Sequence, residues 1–128
     1  ENLMSILESA AILHDIGIHV SEEKYGSSNG KYQEKEGPAE ACKLLSSLGG
    51  YSKEQIDRIC YLIAHHHTYN DIDGLDYQIL VESDFLVNIY EDHLIPQAIE
   101  NIREKIFRTK SGLYLLDNMY DVAVLNDK

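Results

Sequence analysis

SKEQIDRICYLIAHHH, residues 52–67, decides the fold class. Ser52 followed three positions later by Gln55 is a capping box, in which each side chain satisfies a backbone N–H at the start of a helix. Ile56, Ile59, Cys60 and Ile63 then recur at helical spacing, so one face of this helix is expected to be buried. His66 falls three positions after Ile63 and seven after Ile59, while His67 falls four after Ile63 and seven after Cys60. Both imidazoles therefore continue the buried stripe. His65, four after Tyr61 and seven after Arg58, points elsewhere.

The same period extends in both directions, and no stretch alternates as a strand would. Upstream, Leu3, Leu7, Ala10 and Ala11 mark a helix running to about Ile16 and stopped by Gly17. Residues 21–37, SEEKYGSSNGKYQEKEG, contain three glycines among polar groups and read as a long loop, placed as a wall or lid beside whatever precedes it. Pro38 stands as a first helical residue ahead of Ala41, Leu44, Leu45 and Leu48, and Gly49 and Gly50 end that helix. Downstream, Asp73 and Gly74 make a turn before a helix from about Leu75 to Glu91. Pro96 opens another through Ile99, Ile102 and Ile106, and Ser111 caps a last one carrying Leu115, Leu116 and Met119. The expectation is an all-α bundle of about six helices with one long polar loop.

At 128 residues the chain is expected to form a single domain, 1–128. A hydrophobic fraction of 44% and a charged fraction of 26% are ordinary for a globular protein. A net charge of -11 disfavours a nucleic-acid backbone as partner, because phosphates repel an acidic surface. It leaves a small phosphorylated substrate open, since a bound metal dominates its local field. The basic group Arg103, Lys105, Arg108 and Lys110 reads as solvated charge near a helix end. No apolar run is long enough to span a bilayer and no signal peptide is evident, so no membrane partner is expected. Cys42 and Cys60 sit in apolar helical patterns without metal or redox spacing, which fits reduced thiols and a cytoplasmic compartment.

Two further polar sites interrupt apolar stripes. His14 follows Ala10 by four and Leu7 by seven, and Asp15 follows Ala11 by four. Asp84 follows Leu80 by four and precedes Val87 by three, within the apolar run YQILVESDFLVNIY. An inward histidine is often just a satisfied core residue, and a buried aspartate is often capping or ion-paired. Together, however, such groups are costly to bury unless they pair or coordinate something. Imidazole nitrogen with carboxylate oxygen suits Mn, Fe, Co, Ni or Zn and fits Ca poorly.

AAILHDIGIH (residues 10–19) resembles the signature of the HD-domain phosphohydrolases, a helix ending in His-Asp followed by Ile-Gly. LIAHHHTY (62–69) resembles the second histidine region of the dinuclear members, and VESDFLVNIY (81–90) resembles the final helix that supplies the last Asp. The likeness covers about residues 5–92. It implies a helical bundle around a metal, with His14, Asp15 and Asp84 as ligands and His66 and His67 as the later histidines. Two positions depart from the pattern. The family opens with a further His one helix upstream, and none precedes His14, so the domain is expected to lack that first helix. The family's histidine four before the next helix's Gly falls here on Gln33, with Glu34 and Glu36 the nearby carboxylates. One divalent ion per chain is therefore expected, from Mn, Fe, Co, Ni, Zn or Mg.

The function implied is hydrolysis of a phosphoester of a small molecule, with a nucleotide as the substrate class, by metal-activated water. Asp15, His66 and His67 would be the catalytic groups, the histidines stabilising phosphoryl charge or protonating the leaving oxygen. Lys24, Lys31 or Lys35 would reach substrate phosphates, although for any one of them plain solvated charge is the better reading. A homodimer is compatible with this reading. The alternative is a non-catalytic module of the same fold that senses a nucleotide or metal.

Overall fold

A computed structural model describes residues 2–120; residue 1 and residues 121–128, the ends of the expected domain, lie outside the described residues. Among the described residues seven helices follow one another: α1 (Asn2–Leu13), α2 (Ile18–Tyr25), α3 (Gly30–Leu48), α4 (Lys53–His65), α5 (Leu75–Glu91), α6 (Pro96–Lys105) and α7 (Lys110–Tyr120). No strand occurs among the described residues. The class is all-α, as the spacing implies. The chain gathers into two compact units, Glu1–Leu80 and Val81–Lys128, and α5 runs across the division.

In the first unit, α3 packs on α4, α1 on α4 and α2 on α3. Ile6, Ala10, Ala41, Leu45, Ile59, Leu62, Ile63, Tyr77 and Leu80 form its buried apolar set. Each large aliphatic among them stabilises the unit by roughly 1.5–3 kcal/mol relative to exposure. The capping box at Ser52 and Gln55 is complete, with each side chain bonded to the other's backbone N–H. The inward stripes are narrower than the spacing alone suggests: Leu3, Leu44 and Leu48 are exposed, as is Ala11. In α1 the buried positions are Ile6, Ser9 and Ala10.

The long loop expected over residues 21–37 is instead two helices and a short connection. α2 ends at Gly26, whose φ of 67° gives a left-handed cap with its N–H donated to Glu22 O. α3 opens at Asn29, whose side chain accepts the Lys31 N–H at 3.0 Å. Only residues 26–29 connect them. Two of the glycines that suggested breaks mark close helix packing. A Cβ on Gly17 would lie 2.8 Å from Gly37 N, and one on Gly37 would lie 2.8 Å from Ile63 Cγ2. Pro38 sits inside α3 rather than at its start. An interior proline costs about 3 kcal/mol, and here the buried face of Gln33, Gly37, Ala41 and Leu45 offsets it.

The stretch Leu3–Tyr25 has the length and apolar composition to cross a membrane, with 17% of its hydropathy window buried. It is two helices, broken at residues 14–17 by a turn in which Ile16 N–H bonds Leu13 O and Ile18 N–H bonds Asp15 O.

In the second unit Leu86, Ile89, Ile99, Phe107 and Leu116 are buried together, with Ile102, Ile106 and Leu113 against them. Leu115 and Met119 are exposed. Pro96 does open α6. The last helix, however, is capped by Thr109 rather than Ser111: Thr109 Oγ1 accepts the Gly112 N–H at 2.9 Å. Buried Glu82 reinforces that start, accepting the Arg108 and Thr109 N–H groups and the Thr109 hydroxyl.

Candidate metal centre

Asp15, His66 and His67 each bring one ligand atom to a common region, all within 4.8 Å of one another. Asp15 lies in the turn between α1 and α2, while His66 and His67 close the C-terminal end of α4. The packing of α1 on α4 brings the two segments together. His66 is fully buried, His67 half-buried and Asp15 exposed, so the group faces outward through its carboxylate.

The hydrogen bonds constrain the imidazoles. His66 Nδ1 lies 2.6 Å from Ile63 O, and a carbonyl only accepts, so Nδ1 carries the proton. In the neutral ring this leaves the lone pair on Nε2, the form that binds metals, whereas the 3.3 Å contact of Nε2 with the Gln33 amide oxygen, itself an acceptor, is a hydrogen bond only when that nitrogen is protonated too. His14 repeats the arrangement, with Nδ1 2.7 Å from Ala11 O. Its Nε2 lies 3.3 Å from Asp15 Oδ2, and its ring meets that of His66 edge-on at 5.3 Å between centroids. His14 thus stands beside the group of three without being one of them. His65 points away, as the spacing indicates, and its ring lies 4.4 Å from Tyr61.

Gln33 is the residue that sequence spacing undervalues. It is 8% exposed, and its amide oxygen lies 3.3 Å from His66 Nε2 and 3.1 Å from His67 Nε2. Its amide nitrogen donates to Ser28 O at 2.6 Å, which fixes the oxygen toward the imidazoles. The position four before Gly37 therefore does face the histidines, with a neutral amide there. Neither nearby glutamate joins the ligand group. Glu34 Oε2 accepts the His67 N–H at 2.9 Å and the Thr68 hydroxyl at 2.8 Å. Glu36 accepts from the Tyr25 hydroxyl and from Lys24, which together hold its carboxyl below the usual range.

Asp84 lies half-buried on α5 in the second unit, and the group of three is assembled from the first unit alone. The three lysines proposed to reach phosphate stand on helices or their first turn rather than on a loop. Lys24 is 3.0 Å from Glu36, Lys35 lies over the Tyr25 ring at 5.7 Å, and Lys31 is exposed near the start of α3.

No family model, curated protein or solved structure matches this chain.

The donor set fits a borderline divalent ion. Two imidazoles and a carboxylate, with His14 against that same carboxylate, are the ligand types of Mn, Fe, Co, Ni and Zn sites. Within the group, the bond from His66 Nδ1–H to Ile63 O is the outer support that orients such a ligand.

Proposed function

We propose that this chain is a metal-dependent phosphohydrolase of the HD type, acting on a phosphoester of a small molecule, with nucleotides as the substrate class. The observation that carries the reading is the convergence of Asp15 with His66 and His67, two segments some fifty residues apart, within 4.8 Å. The order of motifs, His14-Asp15, then His66-His67, then Asp84, supports it; Asp84 enters through that pattern alone. An ion held there would acidify a bound water and polarise a phosphoryl oxygen. Asp15, exposed at the rim, would help to hold the ion and orient a water bound to it. His67, half-buried beside it, would hold the ion together with His66 and Asp15. Lys31 and its neighbours add positive charge for a phosphate, and the partner is a small cytoplasmic metabolite rather than a nucleic acid.

The test has two parts. Equilibrium dialysis against Mn or Ni with elemental analysis should give one ion per chain, lost in Asp15→Ala with helical circular dichroism retained. Phosphate release from a nucleotide panel should appear only with the ion. Ion binding without release from any nucleotide would favour the sensing module, and absence of both would overturn the reading.

A further inference from the structure

The corner that follows α4 is held by side chains from two other helices. Four of its polar groups are engaged outside the helical ladder. Glu34 on α3 takes the His67 N–H at 2.9 Å and the Thr68 hydroxyl at 2.8 Å, both on Oε2. Tyr77 on α5 places its hydroxyl 3.0 Å from His65 O and donates to Thr68 O. Inside the corner, Thr68 N–H bonds His65 O at 2.8 Å. The residues just past a helix end have lost the ladder that restrains the rest, so their orientation depends on such outside partners. Here the residues past the end are His66 and His67.

We propose that Glu34 is a positioning residue for the candidate metal centre, fixing the 65–68 corner so that the His66 and His67 imidazoles face Asp15. This rests on the reading of that centre as a metal site. Its chemistry is a charge-assisted pair of hydrogen bonds accepted by one carboxylate oxygen, stronger than neutral ones and not reproduced by water without loss of fixed geometry. Gln33, the preceding residue, meets the same imidazoles by its amide oxygen, so one turn of α3 supplies both the contact to the rings and the contact to their backbone. Tyr77 completes the clamp from α5. Burial pushes its phenol up to about 12, so the donor is retained across ordinary pH.

The experiment separates positioning from simple stabilisation. Long-range proton–nitrogen spectra of the histidine rings are recorded on the metal-free protein for wild type, Glu34→Ala, Glu34→Gln and Thr68→Val. Distinct ring signals for His66 and His67 are expected in the wild type. They should average or shift in Glu34→Ala and recover in Glu34→Gln, which keeps an acceptor oxygen. Thr68→Val, which leaves the His67 N–H bond in place, should give the smaller change, and it carries the test if Glu34→Ala does not fold. Mn titration of the same proteins should then show affinity about 10–100-fold weaker in Glu34→Ala, the usual cost of removing outer support. Unchanged ring signals in a folded Glu34→Ala would overturn the proposal, as would altered signals with unchanged Mn affinity. Altered, Gln-rescued signals in a wild type that binds no Mn, Ni or Zn would uphold the positioning and overturn the metal reading instead.

Discussion

Replacing Gly17 by alanine is expected to destabilise the first unit by about 2 kcal/mol, and the reason is the neighbour rather than the backbone. Gly17 has φ -81° and ψ -6°, a conformation that alanine adopts freely. On conformational entropy alone the change would stabilise the protein by about 0.4–1 kcal/mol. The added Cβ, however, would lie 2.8 Å from Gly37 N, 2.9 Å from Gln33 O and 2.9 Å from Gly37 Cα. Carbon contacts settle at about 3.5–4.0 Å, so α3 would have to withdraw by roughly 0.7 Å or more. Backbone cannot rotate aside as a side chain can. The cost therefore belongs at the upper end of the about 1–3 kcal/mol seen for overpacking, and the entropic gain offsets only part of it. Urea unfolding followed by circular dichroism reads the difference as a midpoint lowered by about 1 M, for a slope near 2 kcal/mol/M. Gly26→Ala is the comparison: nothing lies within 4 Å of its Cβ, but its φ of 67° imposes a left-handed cost of about 1 kcal/mol. A Gly17→Ala protein as stable as wild type, or more so, would refute the close approach of α2 and α3.

Asp76→Asn should destabilise by about 2 kcal/mol, because it removes the nearer counter-charge of the Arg58 guanidinium, bonded to both carboxylate oxygens at 2.7 and 2.9 Å, and leaves only the Asp73 carboxylate at 3.6 Å. The Arg58 hydrogen bonds hold the Asp76 carboxyl below the usual carboxylate range. Its contribution is therefore complete above the unfolded value near 3.9 and is lost as pH falls through the lower folded one, so the gap between wild type and variant should close in acid; a gap that persists undiminished there would be the contrary result. Among the cysteines, burial pushes the Cys60 thiol up to about 11 while Cys42 is exposed. Iodoacetamide at pH 8 should modify Cys42 well before Cys60, with Cys60 following on unfolding, and equal rates by peptide mapping would contradict this.

Some of this protein is legible in its residues alone. Helical periodicity and capping chemistry are local, so the all-α class, the capping box at Ser52, the span Leu75–Glu91 and the start at Pro96 follow from neighbours a few positions apart. The inward direction of His66 follows from the same period, because a buried stripe carries any residue placed on it. Glycine is where local reading fails. Gly30 and Gly37 look like helix breakers in a polar stretch, yet Gly30 begins α3 and Gly37 lies within it. Their missing side chains serve contacts with segments far along the chain: a Cβ on Gly30 would lie 3.0 Å from the His67 ring. Whether a glycine is a break or a close approach depends on what passes beside it, and that exists only in the folded chain.

The centre divides in the same way. Spacing identifies His14, Asp15, His66 and His67 as polar groups on or near apolar faces, since burying such groups unpaired is costly. Which of them meet is a tertiary matter. The packing of α1 on α4 gathers Asp15 with His66 and His67, and the packing of α3 on α4 turns Gln33 toward the rings and Glu34 toward the backbone beneath them. A side-chain amide and a carboxylate in a polar, glycine-containing stretch carry no signal of burial in one dimension. They acquire their roles only because that stretch is a helix, and it is a helix because its glycines let it lie against its neighbours.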